Sequence, residues 1–246
     1  RFKMTLPKID VPIYDLTIPS SGQTIKVRPF NVKEEKLLLM AVEGGKMEDI
    51  VGTVKQVINN CIINNDVNLD KLPFFDIDYM FIFLRAKSVG ETVEVNITCN
   101  NTLEDGLRCG KVFPHNMDIA KCEIVNPLDL PVKDIKLDKA RGVIMKYPAY
   151  SVIKNLDDMN NIDKKIQIII MSIDKIYDAK GFYDSKDYSK DELKEFIEAL
   201  TEENYKKLEY FIDNFPTFAV AMEADCPKCG FHHNVRYTDF TDFFLS

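Results

Sequence analysis

The chain opens with two short runs in which apolar and polar residues alternate. Residues 13–19 and 24–30 follow this pattern on either side of a Ser-Ser-Gly-Gln turn, which predicts a β-hairpin with one buried face. Asn31 then stands where a helix would begin, with Glu34 three residues later, and this pair is typical of a capping box. We therefore predict a helix that follows Asn31 and ends at a Gly-Gly pair.

Two further helices are predicted from apolar residues at helical spacing. Residues 47–63 carry one apolar face, which includes Cys61, and we interpret this cysteine as a core residue because unpaired cysteines are usually buried. The next helix is predicted to start with Asp76 as its N-cap and to end near Gly90. Its apolar residues cover more than one face, which favours a central place in the core.

Four strand-like runs flank two cysteine turns that lie far apart in the sequence. Residues 91–98 and 110–119 surround the first turn, and residues 217–225 and 231–237 surround the second. Each pair of runs is typical of two strands joined by a turn. The sequence therefore predicts two hairpins whose tips carry the cysteines.

The segment between these hairpins, residues 122–216, is predicted to be mainly helical. Residues 157–177 are rich in isoleucine and predict a helix, whereas the polar and aromatic residues 181–189 predict a loop. Two more helices follow, and each begins at a hydroxyl side chain in a capping position, Ser189 and Thr201.

The two cysteine turns have the composition of two halves of a zinc ribbon. The candidate ligands are Cys99, Cys109, Cys226 and Cys229. Four thiolates suit a closed tetrahedral Zn²⁺ site, and the glycine after each second cysteine lets backbone amides turn toward the sulfurs. The nine residues inside the first turn exceed the usual spacing, so Cys122 or His232 remains open as a substitute ligand.

Such a zinc site is predicted to be structural. Four thiolates leave no open position for a water molecule, which disfavours metal-assisted hydrolysis. His232 and His233 are neighbours on one predicted strand and face opposite sides, so at most one of them can face the metal. Both histidines are expected to lie at the solvated surface.

The elements together predict an α+β fold in three parts. Residues 1–90 form an N-terminal β-hairpin with helices and their core. Residues 91–121 and 217–246 form a split two-hairpin four-cysteine zinc ribbon with an aromatic C-terminus, and residues 122–216 form an inserted mainly helical lobe.

The composition limits the classes of function. The chain has 246 residues and a formal net charge of -7, so nucleic acid would need a local basic patch. The N-terminus has no apolar signal core, which favours folding in a reducing cytosol. In that compartment the CxxC spacing among the six cysteines indicates metal binding rather than disulfides. No apolar run reaches the length of a membrane span.

No catalytic motif is present, so we predict that the protein is not an enzyme. The sequence lacks HExxH, GxSxG, GxGxxG and a phosphate-binding GxxxxGK[ST] loop. The alternative to a structural protein is a zinc-ribbon nucleic-acid-binding module. Its small basic patch would consist of Lys228, His232, His233 and Arg236.

The C-terminus carries aromatic residues spaced by three and four. These residues are Tyr237, Phe240, Phe243 and Phe244. Two interpretations are open: the rings pack on the chain's own ribbon, or they form an exposed stripe that docks on a partner subunit.

Three segments together resemble one known family, the baseplate hub and hub-assembly proteins of T-even-type contractile-tailed bacteriophages. The segments are residues 26–41, residues 72–91, and the CPKCG motif at residues 226–230 together with the Phe-Thr-Asp-Phe-Phe run at residues 240–244. The resemblance spans both ends of the chain and leaves residues 122–216 without a counterpart.

This resemblance implies a structural or assembly protein without enzymatic activity. It would be made in the host cytoplasm and would act in the virion tail baseplate, with other baseplate hub proteins as partners and without nucleic acid or membrane. An oligomer within the baseplate is compatible with this role. The candidate partner contacts are the aromatic C-terminus and the surface near Arg28 and Phe30.

Overall fold

The computed structural model of the chain describes residues 10–63, 67–125, 133–149 and 161–238. Two compact units make up the chain. Unit 1 consists of residues 1–67, 78–123 and 219–246. Unit 2 consists of residues 68–77 and 124–218.

Both helices and strands are present in the described residues, which form a mixed α/β fold. The helices are α1 (Val32–Gly44), α2 (Met47–Cys61), α3 (Phe74–Ser88), α4 (Asn161–Ser172), α5 (Lys190–Glu198) and α6 (Glu202–Asp213). The strands are β1 (Tyr14–Thr17), β2 (Thr24–Val27), β3 (Thr92–Thr98), β4 (Val112–Asp118), β5 (Glu123–Val125), β6 (Asp134–Lys136), β7 (Gly142–Met145), β8 (Ile173–Asp178), β9 (Gly181–Asp184), β10 (Thr217–Asp225) and β11 (His232–Tyr237).

The described strands form four small sheets. Their orders are β1–β2, β3–β4, β11–β10–β5 and β6–β7–β8–β9. The strands pair antiparallel in both two-stranded sheets, throughout the four-stranded sheet and between β10 and β11. The fold is therefore built from short antiparallel hairpins with helices beside them.

The predicted N-terminal hairpin and first helix are confirmed. β1 pairs with β2, and Leu16 and Ile25 are buried on the inner face. The Asn31 side-chain oxygen accepts a hydrogen bond from the Glu34 backbone N–H at 3.2 Å, and the Glu34 carboxylate accepts one from the Asn31 N–H at 2.9 Å. This capping box starts α1, and Gly45 in the left-handed conformation (φ 69°) ends it.

The next two helices are present, and one of them starts earlier than predicted. Cys61 at the end of α2 is completely buried, as expected for a core residue, and this burial raises the pKa of its thiol to about 12. α3 begins at Phe74, so Asp76 lies inside the first turn and is not the N-cap. Pro73 immediately precedes α3, and its carbonyl accepts a hydrogen bond from the Asp76 N–H at 3.1 Å.

Both predicted cysteine hairpins are confirmed. β3 pairs with β4 along its whole length, and Val93, Val95 and Ile97 are buried at alternate positions. β10 pairs with β11 in the second hairpin. Both hairpins belong to unit 1, and each carries two cysteines at its tip.

Unit 2 contains a sheet that the sequence analysis missed. The predicted helix over residues 157–177 is wrong for its last part, because α4 ends at Ser172 and the chain continues directly as β8; residues 157–160 lie outside the described residues. The predicted loop over residues 181–189 is also wrong, because it contains β9, which pairs with β8. In its described residues, the lobe expected to be mainly helical thus combines three α-helices with a four-stranded sheet.

One continuous apolar cluster forms the core of unit 2. It includes Val143 from β7, Ile169 from α4, Ile173 from β8 and Phe211 from α6, all completely buried. The predicted capping box at Ser189 and the predicted cap at Thr201 are confirmed at the starts of α5 and α6. Unit 2 is therefore packed around a core of its own.

Candidate metal centre

The two cysteine turns are built in the same way. The Cys99 N–H donates to the Lys111 carbonyl at 2.8 Å, and the Gly110 N–H donates back to the Cys99 carbonyl at 3.1 Å. Gly110 has a φ of 59°, a conformation that favours glycine because it has no Cβ. The hairpin thereby closes directly behind its cysteines.

The second turn repeats this arrangement. The Cys226 N–H donates to the Phe231 carbonyl at 2.9 Å, and the Gly230 N–H donates to the Cys226 carbonyl at 2.8 Å. Gly230 has a φ of 69°. The glycine after the second cysteine therefore has the predicted conformational role in both turns.

The long spacing in the first turn is accommodated by a small loop. The Cys109 N–H donates to the Asn101 carbonyl at 2.8 Å, and Thr102 and Arg108 form an antiparallel bridge. These contacts close the intervening residues into a loop, so that Cys109 lies beside Cys99. The unusual spacing therefore does not prevent the two thiols from facing the same point.

The four predicted cysteines lie together in unit 1. Their sulfur atoms all lie within 4.8 Å of one another. The Cys99 and Cys229 sulfurs are 3.6 Å apart, and the Cys109 and Cys226 sulfurs are 3.8 Å apart. Four thiolates held about 2.3 Å from a central ion at tetrahedral angles would be about 3.8 Å apart, whereas a disulfide needs about 2.05 Å. The geometry fits a metal ion and does not fit disulfides.

The surroundings of the sulfurs differ between the two turns. Burial raises the pKa of the Cys99 thiol to about 12. The hydrogen bond from the Phe231 backbone lowers the pKa of the Cys229 thiol to about 6. The Asn101 side-chain amide also donates to the Cys229 sulfur at 3.6 Å, a contribution from the first turn to the second that the sequence analysis missed.

Neither suggested substitute ligand belongs to the cluster. Cys122 is not part of it, and the His232 ring lies 2.8 Å from a carboxylate oxygen of Asp225. His233 is 6% exposed, so the expectation of a solvated surface position is wrong for this residue. Its ring packs against Phe231 and Phe113, with centroids 4.9 Å and 6.1 Å away.

The basic patch required by the nucleic-acid alternative is reduced by internal contacts. The Lys228 ammonium donates to the Cys109 carbonyl at 3.2 Å, and Asp225 and Glu223 lie beside the His232 ring. Because the patch also includes the buried His233, the nucleic-acid alternative is not favoured.

Two residues of the expected contact surface near the first helix also bond within the chain. The Arg28 guanidinium donates to both carboxylate oxygens of Glu34, at 2.9 Å and 2.8 Å, and to the Asn60 carbonyl at 3.0 Å. Phe30 is 8% exposed, and its N–H donates to the Ser88 hydroxyl at 2.9 Å. The structure therefore gives Arg28 and Phe30 a role in the packing of unit 1.

Only one of the predicted C-terminal contact residues is described. Tyr237 ends β11 and is half-buried. Phe240, Phe243 and Phe244 lie outside the described residues.

The cluster can hold a metal but leaves no position for catalysis on it. Among the described residues, these four cysteines form the one group of metal-binding side chains close enough to share an ion. Three of the four are buried, and four thiolates complete a tetrahedral shell. Such a site would link the tips of the two hairpins.

Comparison with known protein families agrees with a structural role. A family model described as T4 bacteriophage base plate protein matches residues 11–245, nearly the whole chain. The chain belongs to this family. Searches of curated proteins and of solved structures returned no significant match.

Membership of this family confirms the resemblance to baseplate proteins of T-even-type phages. It supports a structural role in the phage tail baseplate. Within the described residues, no helix combines the length and the apolar character needed to cross a bilayer.

Proposed function

We propose that this baseplate protein is a structural or assembly subunit of the hub at the centre of a contractile tail baseplate. It acts through contacts with other hub proteins and is assembled with them in the host cytoplasm. The observation that carries this proposal is the family match over residues 11–245. The specific placement in the hub rests on the resemblance of three segments to hub proteins: residues 26–41, residues 72–91, and residues 226–230 together with 240–244.

The second part of the proposal is a structural Zn²⁺ ion on the four cysteines. Tetrahedral sites made of four thiolates select zinc or iron–sulfur chemistry, and the sulfur separations of 3.6 Å and 3.8 Å fit a single ion. The ion would join residues 91–121 to residues 217–237 as one split ribbon. This clasp would fix the surface that unit 1 presents to its partners.

Partner contacts are proposed at the aromatic C-terminus. Tyr237 is the last residue of β11, and three more aromatic rings follow within the next seven residues of the sequence. Aromatic side chains contribute large apolar areas at protein interfaces. The surface near Arg28 and Phe30 remains a second proposed contact, although the Arg28 guanidinium also bonds to Glu34 and Phe30 is buried.

Co-purification with the hub proteins of the same phage tests this function. The tagged full-length chain, co-expressed with these proteins, is expected to retain at least one of them, and deletion of residues 238–246 is expected to weaken the complex. A chain that binds no baseplate protein and is missing from baseplate assembly intermediates would contradict the proposed function. A complex unaffected by the deletion would contradict the C-terminal contact alone.

A further inference from the structure

The strand β11 has one edge that no described strand covers. The sheet order β11–β10–β5 places β11 at the margin of its sheet. In an antiparallel pair of strands, every second pair of opposite residues is hydrogen-bonded. The Cys226 N–H donates to the Phe231 carbonyl, so the next hydrogen-bonded pairs along the two strands are those that contain His233 and Val235. The residues that direct their backbone N–H and C=O groups away from β10 are His232, Asn234 and Arg236.

The strand β3 likewise has one edge that none of the described strands pairs with. Its sheet has two strands, and the Cys99 N–H bonds to the Lys111 carbonyl of the partner side. Because hydrogen-bonded pairs alternate, the backbone of Ile97 also bonds to β4, whereas Asn96 and Thr98 direct their backbone N–H and C=O groups away from β4.

These two edges line one groove. Its walls are formed by all residues from 231 to 237 on one side and by residues 96–98 and 100 on the other. The cavity has a volume of about 540 Å³. It lies in unit 1 next to the cysteine turns, since Asn100 directly follows Cys99 and Phe231 comes two residues after Cys229.

The other edges of the two hairpins are protected. β10 has the short strand β5 on its other side. On β4, Pro114 lies opposite Asn96, at a position whose backbone faces away from β3, and proline at such a position removes the donor that strand pairing needs. The groove edges contain no proline, and exposed edges without protection are templates for another strand.

The chemistry of the groove defines what fits it. Its lining has no carboxylate, although the chain has a net charge of -7, and it includes the exposed side chain of Arg236. Val235 and Tyr237 are half-buried on the same face of β11. A matching ligand is an extended peptide with apolar side chains at alternate positions and an acidic side chain opposite Arg236.

We infer that this groove binds an extended segment of another baseplate subunit by β-strand addition to the free edge of β11, with β3 as the opposite wall. The inference rests on the proposed function and specifies its contact. The alternation of N–H and C=O groups along both walls matches a polypeptide backbone rather than a nucleic acid. The cysteine cluster acquires a role in recognition, because it holds the two edges in place.

A single proline tests strand addition without disturbing the sheet. Asn234→Pro removes an N–H that points into the groove and is not bonded to β10. In co-purification with the co-expressed hub proteins, this variant is expected to bind about tenfold more weakly or worse, because it loses a backbone hydrogen bond and adds a steric clash. Asn234→Ala retains the N–H and is expected to bind like the wild type.

A second control uses the opposite edge. Asn116→Pro removes an outward-facing N–H on β4, away from the groove, and is expected to leave binding unchanged. If the wild type binds hub proteins and Asn234→Pro binds them equally well, strand addition is wrong while the proposed function stands. If the wild type binds none of them, the proposed function itself fails.

Hydrogen exchange on the wild-type chain provides a test that does not depend on the folding of a variant. The amides of His232, Asn234 and Arg236 are expected to exchange quickly in the free chain and slowly in the hub complex. Unchanged exchange at these amides in the complex would overturn the inference. Protection of the same amides by a single-stranded oligo-dT instead of the hub proteins would also overturn it, in favour of nucleic acid.

Discussion

Replacing Cys226 by serine removes one ligand from the cysteine cluster. The Cys226 side chain is 2% exposed, and its sulfur lies 3.8 Å from that of Cys109, which is 117 residues away in sequence. The hydroxyl of serine is a much poorer zinc ligand than a thiolate. The substitution is therefore expected to break the proposed metal link between two hairpins that are distant in the chain.

The expected loss of stability is large. Structural zinc contributes an apparent free energy of about 10–16 kcal/mol in small zinc domains, whereas a whole domain is stable by about 5–15 kcal/mol. Losing the ion should thus unfold the two hairpins of unit 1. Unit 2 should remain folded, because its core around Val143 and Phe211 contains none of the cysteines.

The assay combines metal content with thermal unfolding. The wild type is expected to contain one zinc per chain by elemental analysis, and Cys226→Ser or a strong chelator is expected to remove it and to add an early unfolding step. Cys122→Ser is the matched control, because Cys122 lies outside the cluster and is half-buried. A Cys226→Ser chain that lacks metal but melts like the wild type would refute the claim that a metal ion stabilises unit 1 by joining the two hairpins.

Two further predictions concern the packing of each unit. Glu34→Gln should lower the free energy of unfolding by about 1.5–3 kcal/mol at pH 7, because it weakens charge-assisted bonds from Arg28. Arg28 holds the pKa of Glu34 below its ordinary value of 4.5. The stability that this ion pair contributes is therefore present above pH 4.5 and is lost as the pH falls through the lower pKa of the folded state. Urea unfolding should show a smaller difference between wild type and Glu34→Gln at about pH 3 than at pH 7, and an equal difference at both pH values would contradict this. In unit 2, Gly142→Ala should destabilise by about 1–3 kcal/mol, because the added Cβ would collide with the hydroxyl and ring of Tyr177. Gly52→Ala on α2 meets no atom within 4 Å and should stabilise by about 0.5–1 kcal/mol; equal melting temperatures for these two alanine variants would contradict the packing at β7.

The parts of the fold that sequence predicted well depend on neighbours along the chain. The capping boxes at Asn31 and Ser189 join residues three positions apart, so their spacing is visible in the sequence. The cysteine hairpins have the same property, because each turn and its two strands are contiguous.

The parts that were missed depend on distant neighbours. β8 follows α4 without a break, and its hydrogen bonds go to β7 and β9, so isoleucine spacing could not separate the strand from the helix. The burial of His233 depends on Phe113, which belongs to the other hairpin. The same limit concealed the groove, because it exists only where two hairpins lie side by side.

The candidate metal centre was predicted from local composition, and the reason is chemical. Cysteine pairs followed by glycine favour thiolate coordination whatever lies between them, so the sequence separation of 117 residues between Cys109 and Cys226 did not obscure the candidate ligand set. The loop between Cys99 and Cys109 carries no such sequence signal. Its length looks unfavourable for a shared metal site, but the antiparallel bridge between Thr102 and Arg108 closes it.

A density map of the baseplate hub isolated from infected cells tests the central proposal most directly. We expect the chain within the hub, a single tetrahedral metal feature between Cys99, Cys109, Cys226 and Cys229, and contacts to neighbouring hub subunits. A hub that contains no copy of this chain at any stage of assembly, or four cysteines without a shared metal, would contradict the account.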